Sequence, residues 1–295
     1  MSYVLVTGGT GTLGAALVPL LRAANLRVRI LSREAAPAGR EPGTWVRGDL
    51  TTGENLDDAV RNVNTVIHLA TRPRGHDGAL THNLVEAARR GPRMTAPLPH
   101  LIYQSIVGVD QIPLRYYRQK LAAEHVVAGS GLPFTILRST QFHELVYSMF
   151  SAQRRMPVVA APSIRLQPID VRDVAGLLLG LVQNGPAGRV ADIGGPDLEL
   201  ATDFARATLA SFRRPGAHTS VGTRRLIVPV RLPGRVFAAY AAGHNLVAGN
   251  RIGTFSFADY LGARAAARQL AEAAADAASA AAAADDSNPS SSLET

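Results

Sequence analysis

Along the first 140 residues, short apolar runs alternate with segments of helical period. Tyr3–Val6 (YVLV) has no polar break and predicts a buried strand. A glycine-rich turn follows, and the leucines of Ala15–Ala24 recur at helical spacing. Further strands are predicted at Arg27–Leu31, Trp45–Arg47, Thr65–Leu69, Leu101–Ser105 and Phe134–Leu137. Helices are predicted between them, at Leu56–Asn62, His82–Arg90 and Tyr116–Ala128. Apolar strands separated by helices predict an α/β fold with a doubly wound parallel sheet, covered on both faces. Past Ser139 the rhythm loosens. Asp173–Leu181 reads as an apolar helix, with Asp173 as its N-cap, and Val190–Ile193 as a strand. Residues 196 to 260 read as smaller helices and loops. From Ala263 to Ala284 the chain is mostly alanine, and from Asp285 it is acidic and serine-rich. Alanine favours helix but buries little, so 263–295 is expected to be a peripheral helix or a disordered tail.

Composition narrows the chemistry. Of 295 residues, 46% are hydrophobic and 18% charged, which is ordinary for a globular protein. Cysteine is absent, which excludes a disulfide framework, a thiolate zinc site and a cysteine nucleophile, and fits a reducing cytoplasm. Met1 leads straight into the first strand, so no secretory signal is expected. The longest aliphatic run, VAGLLLGLV after Asp173, is too short to cross a bilayer, and no membrane partner is expected. His68, His76, His82 and His143 have no metal-ligand spacing with nearby carboxylates, so no metal is expected.

Charge adds two observations. The excess of +8 (31 − 23) is matched by one stretch: between Asp203 and Asp259 no acidic residue occurs, while Arg206, Arg213, Arg214, Arg224, Arg225, Arg231, Arg235 and Arg251 do. Such a stretch could meet a nucleic acid or an acidic protein. No interleaved aromatics accompany it, and a solvated surface is the plainer expectation. Secondly, of 31 basic residues the single lysine is Lys120. A chain that otherwise uses arginine points to a site needing a compact ammonium there.

The chemistry concentrates in two places. Val6-Thr7-Gly8-Gly9-Thr10-Gly11-Thr12-Leu13-Gly14 links the first strand to the first helix, with Gly8, Gly11 and Gly14 three apart. The first glycine permits the turn, the second lets backbone approach a pyrophosphate, and the third lets helix and strand pack closely. The phosphates would then face the helix N-terminus. Where a carboxylate would select NAD at the end of the second strand, this chain has Ser32-Arg33, suited to a 2′-phosphate, with Glu34 next. NADPH is expected over NADH. The second place is Tyr116-x-x-x-Lys120, whose members share a helix face. A nearby ammonium would favour the phenolate and bring a tyrosine closer to useful acid–base chemistry. Ser105 ends the preceding strand, placed to orient a substrate carbonyl. Tyr117 is adjacent, and either tyrosine could face the cleft.

The glycine spacing, with Gly48-Asp49-Leu50 and His68-Leu69-Ala70-Thr71 after later strands, resembles the short-chain dehydrogenase/reductase superfamily in its extended and atypical branches. The resemblance implies a Rossmann-type fold, an adenine contact at Asp49 and a cofactor-lining loop at Leu69 to Thr71. It implies Ser105, Tyr116 and Lys120 as the catalytic triad, with Lys120 also holding the nicotinamide ribose. Leu132 to His143 resembles the NmrA-like reductases, which makes Gln141, Phe142 and His143 substrate-pocket candidates, with His143 a possible proton donor. Residues 1–262 are expected to form one unit, with a cofactor part to about 140 and a small substrate-binding part from 141. The expected function is NADPH-dependent hydride transfer to a carbonyl, quinone or enone of a small, fairly apolar substrate. A non-catalytic NADP(H)-sensing regulator and a nucleotide-sugar epimerase or dehydratase are the alternatives.

Overall fold

The computed structural model describes residues 3–39, 41, 43–72, 75–91, 97–212 and 225–286. Its elements run β1 (Tyr3–Thr7), α1 (Thr12–Ala23), β2 (Val28–Ser32), β3 (Trp45–Arg47), α2 (Leu56–Val60), β4 (Val63–His68), α3 (Asp77–Arg90), β5 (His100–Ile106), α4 (Arg115–Ala128) and β6 (Phe134–Ser139). They continue α5 (His143–Ser151), β7 (Val158–Pro162), β8 (Arg165–Leu166), α6 (Val171–Asn184), β9 (Gly188–Arg189), β10 (Glu199–Leu200), α7 (Ala201–Ala210), β11 (Leu226–Val230), α8 (Arg235–Ala241) and α9 (Phe257–Asp286).

Seven strands form one parallel sheet in the order β3-β2-β1-β4-β5-β6-β9, so the expected doubly wound Rossmann-type fold is observed. The order reverses between β1 and β4. Crossovers on the two sides turn opposite ways there, and a crevice opens at the carboxyl ends of the strands. Alternate strand residues feed two cores. Leu5, Val66, Leu101, Tyr103 and Ile136 pack under α2, α3 and α4, and Val6, Ile67, Ile102 and Leu137 pack under α1 and α6. A third core joins Val146 and Phe150 of α5 to Phe204 of α7 and to Phe257 and Tyr260 of α9.

Three expectations change. Helix α3 starts at Asp77, five residues ahead of His82. Gly78 reads as a breaker, yet a Cβ on it would come within 3.3 Å of the Ala122 Cβ, so it allows α3 to lie close against α4. The strand expected at Val190–Ile193 is regular only at Gly188–Arg189, which pairs with β6, although the Val190 and Ile193 amides still donate to the Ile136 and Arg138 carbonyls and Ile193 bridges Ser139. The N-cap of α6 is Asp170, whose carboxylate accepts from the Arg172 amide, and not Asp173. Helix α9 is largely exposed after Leu261. No helix among the described residues is long and apolar enough to cross a membrane.

Candidate functional site

Tight backbone packing builds the turn after β1. Gly8 has φ +72°, and a Cβ there would sit 2.8 Å from the Ala70 amide nitrogen, so the β1 and β4 loops cross in backbone contact. A Cβ on Gly14 would overlap the Gly8 carbonyl oxygen. Gly11 is the N-cap of α1, which has no side-chain cap and no acidic residue in its first turn. Thr10, Gly11 and Thr12 are exposed beside it. The first-turn amides and the helix dipole therefore present a positive end to the crevice, suited to an anion.

Thr7, Leu13 and Gly14 are buried in this frame and do not line the crevice. Thr7 shares a 2.7 Å hydrogen bond with Nδ1 of His68, whose Nε2 meets the Thr81 hydroxyl at 3.0 Å. Burial, with the Lys120 charge behind it, lowers the His68 pKa to about 3. The unfolded chain then binds a proton near the ordinary histidine value that the folded chain refuses, so stability is lost as pH falls from about 6.5 toward 3. His68 alone is expected to cost about 2 kcal/mol by pH 5. Urea melts across this range should show the loss, and His68→Gln should flatten it.

The crevice encloses about 320 Å³ and is lined by the segments that follow β1, β2, β3 and β4. Of the residues read from the sequence, Gly8, Gly11, Ser32, Arg33, Asp49, Leu50, Leu69, Ala70 and Thr71 line it, whereas Thr12 and Lys120 do not. Sequence reasoning missed Arg72 and Leu80, which also line it. Arg72 follows Thr71 directly, and continuing the loop by one residue finds it. Its guanidinium lies 3.8 Å from the Asp49 carboxylate. The Thr51 amide, with Arg72 and Arg33 adding positive charge, holds the Asp49 carboxyl below its usual range. A larger recess of about 360 Å³, between Tyr147, Ser211 and the first turns of α9, has no strand-end residue in its lining.

Past the crevice, α4 faces the ends of β4 and β5. Tyr116 is half-buried and its hydroxyl lies 3.0 Å from Thr71 Oγ1, on the crevice wall. Tyr117 instead points into the cluster of Val109 and Ile112, with its hydroxyl 3.2 Å from that of Tyr240. Geometry thus favours Tyr116 of the pair. Burial pushes the Tyr116 phenol up, not down. Lys120 is fully buried, donates to the Gln104 carbonyl at 2.7 Å and lies 4.4 Å from the centre of the Tyr103 ring. Burial lowers it to about 8, against the charges of Asp77 and Glu124. The expected lowering of the tyrosine by its lysine is therefore not what the packing produces. Ser105 shares the sheet face of Tyr103, and its buried Oγ has no hydrogen-bond partner among the described residues. A buried hydroxyl without a partner costs stability unless a ligand atom meets it, so it fits the edge of a binding site.

The three substrate candidates separate. Gln141 is buried, and its side chain reaches the Tyr117 hydroxyl. Phe142 packs against the second core at the N-cap of α5. His143 is buried against the Phe257 and Tyr260 rings, shares a hydrogen bond with the Phe255 carbonyl and is pushed down by burial. Its surroundings make it a packing residue of the third core, and the proton-donor reading is corrected accordingly. Of the arginine-rich stretch, Arg206 pairs with Asp203 at 2.6 Å, while Arg213, Arg214 and Arg224 lie outside the described residues.

Comparisons with known proteins agree with this geometry. A family model described as NAD(P)H-binding matches residues 8–184. An NAD(P)H azoreductase of Xenophilus azovorans is 25% identical over 225 residues, covering 74% of this chain and 77% of its own. Among solved structures, the NADPH-dependent quinone oxidoreductase QOR2 of Escherichia coli, complexed with NADPH, superposes with a TM-score of 0.72 at 17% identity, covering 88% of this chain and 98% of that one. A nucleoside-diphosphate-sugar epimerase of Staphylococcus aureus reaches 0.68 at 16% identity, covering 88% and 99%.

Proposed function

Since the chain belongs to the NAD(P)H-binding family, with the fold of the extended short-chain dehydrogenases and epimerases, we propose that it is an NADPH-dependent reductase. The observation that carries this reading is the coincidence of three features in one crevice. The glycine-packed helix N-terminus, two arginines beside Asp49, and Thr71 with Tyr116 hydrogen-bonded to it all adjoin it.

Gly8 and Gly11 would admit the pyrophosphate to the α1 amides, and Ser32 and Arg33 would meet a 2′-phosphate. Asp49 and Leu50 would border the adenine, and Leu69 to Thr71 the path toward the nicotinamide. When bound, the reduced nicotinamide supplies the hydride. Tyr116 holds a proton for the substrate oxygen, Ser105 offers that oxygen its partnerless hydroxyl, and Lys120 brings a buried ammonium to the same sheet face. Gln141 would offer a substrate the amide capacity that it does not use on Tyr117. The substrate-binding part would run from about 141 to 262. A quinone, ketone, enone or azo group on a small apolar frame is the expected acceptor, the last on the strength of the azoreductase relative.

The test is a cofactor titration on wild type and Arg33→Ala, with a quinone, ketone and azo-dye panel. Losing a charge-assisted contact should weaken NADPH by about 10- to 100-fold and leave NADH nearly unchanged. Equal losses for the two cofactors discard the 2′-phosphate assignment. NADPH that binds but is never oxidised across the panel replaces the reductase with a cofactor-sensing regulator.

A further inference from the structure

The hydrogen-bond chain behind Tyr116 carries an inference that rests on the reductase reading and deepens it. Asp77 is buried in the first turn of α3. Its Oδ2 accepts the Thr71 hydroxyl at 2.5 Å, and its Oδ1 accepts the Arg72 amide at 2.8 Å. A carboxylate only accepts, so Thr71 is the donor in the first bond. A hydroxyl has one hydrogen to give. With it committed to Asp77, Thr71 Oγ1 can only accept from Tyr116, 3.0 Å away. Donor counting therefore orients the whole chain, from Tyr116 to Thr71 and from Thr71 to Asp77. Lys120 directs its hydrogen bond to the Gln104 carbonyl instead, and none joins it to Tyr116 among the described residues.

We propose that Asp77, acting through Thr71, is the positioning residue for the Tyr116 phenol, in the place that the sequence pattern gives to Lys120. The same carboxylate fixes the Arg72 amide, so it ties the phenol to the wall that carries Arg72 into the crevice. The resting phenol is neutral with its hydrogen turned to Thr71. To give that proton to a substrate oxygen, Tyr116 must leave Thr71. Burial and the negative charge of Asp77 act in the same direction on it. The other titratable groups beside it are Tyr117 on its own helix and Tyr103 of β5, whose ring also lies 4.4 Å from Lys120's ammonium.

Ultraviolet difference titration of wild type against Tyr116→Phe reads the phenol without cofactor or turnover. In Asp77→Asn the charge is gone and the amide can donate to Thr71, whose own hydrogen is then released for the phenolate. The Tyr116 step is expected to move to lower pH. Lys120→Met should leave the step in place. An unmoved step in Asp77→Asn, or an equal movement in Lys120→Met, overturns the proposal. Thr71→Val is an independent arm should Asp77→Asn not fold: kcat for quinone reduction should fall about tenfold or more with KM unchanged, and Thr71→Ser should restore it. Equal rates for the valine and serine variants also overturn it. A wild type that binds NADPH and reduces nothing sinks the reductase reading and leaves the titration standing. A wild type that turns over with an unmoved Asp77→Asn step sinks this inference alone.

Discussion

Gly14→Ala is expected to weaken NADPH binding at least about 100-fold and to lower Tm by roughly 5–10 °C. A Cβ at this position overlaps the Gly8 carbonyl oxygen and stands 2.6 Å from Gly9 Cα and 2.7 Å from Gly9 C. All three are backbone atoms of the turn. No side chain can rotate away, so α1 must lift off β1. Overpacking of this kind costs about 1–3 kcal/mol, and here it also moves the helix N-terminus that would face the phosphates. Gly11→Ala is the internal control. Its Cβ would meet only the Gly8 carbonyl oxygen, at 3.3 Å, and the position is exposed. That variant should melt like wild type and lose affinity alone. Thermal melts paired with cofactor titrations separate the two effects, and a Gly14→Ala protein with wild-type Tm and affinity would refute the packing account.

The contrast between Gly11 and Gly14 shows what was legible in the sequence. Three glycines at fixed spacing after a strand encode both the turn and the crevice, because the physical demand is local. The parallel, two-faced sheet follows from the same alternation. Arg72 was one residue past the loop that the sequence marked, whereas Asp77 was not legible, because its role depends on contacts made through the fold. Asp77 and Gly78 precede the helix expected at His82–Arg90, and the close approach of α3 to α4 brings them into it. The pairing of β7 with β11 is equally hidden. It joins Val158–Pro162 to Leu226–Val230 across a long separation, and each strand contains a proline that usually argues against pairing. His143 misled for a related reason. Its type promised titration near neutral pH, and its aromatic neighbours, more than 100 residues away in sequence, remove that property.

Breaking the buried ion pair beneath α4 should have the other large effect, on stability. The Arg138 guanidinium of β6 donates to both Glu124 oxygens, at 2.8 and 2.6 Å, and to Asp110 at 3.0 Å. The Arg138 and Glu124 side chains are only 4% and 6% exposed. Burial alone would lower the Arg138 pKa, but the bonds to Glu124 and Asp110 outweigh it and raise it. Glu124 sits one turn beyond Lys120 on the helix that also presents Tyr116, so this fork anchors the candidate catalytic face to the sheet. Glu124→Ala leaves a buried guanidinium with Asp110 as its only ionic partner among the described residues. It should cost about 3–5 kcal/mol in urea denaturation. Exchanging the whole pair for apolar side chains, Glu124→Leu with Arg138→Met, should recover most of that loss, because the buried guanidinium is removed together with its partner. The crevice lining lies on other segments, so the double variant should still bind NADPH. If its turnover matches wild type, the pair acts on stability alone. If binding persists and kcat falls, the fork also sets the position of Tyr116. A double variant no more stable than Glu124→Ala would show that packing geometry, and not unpaired charge, dominates at this joint.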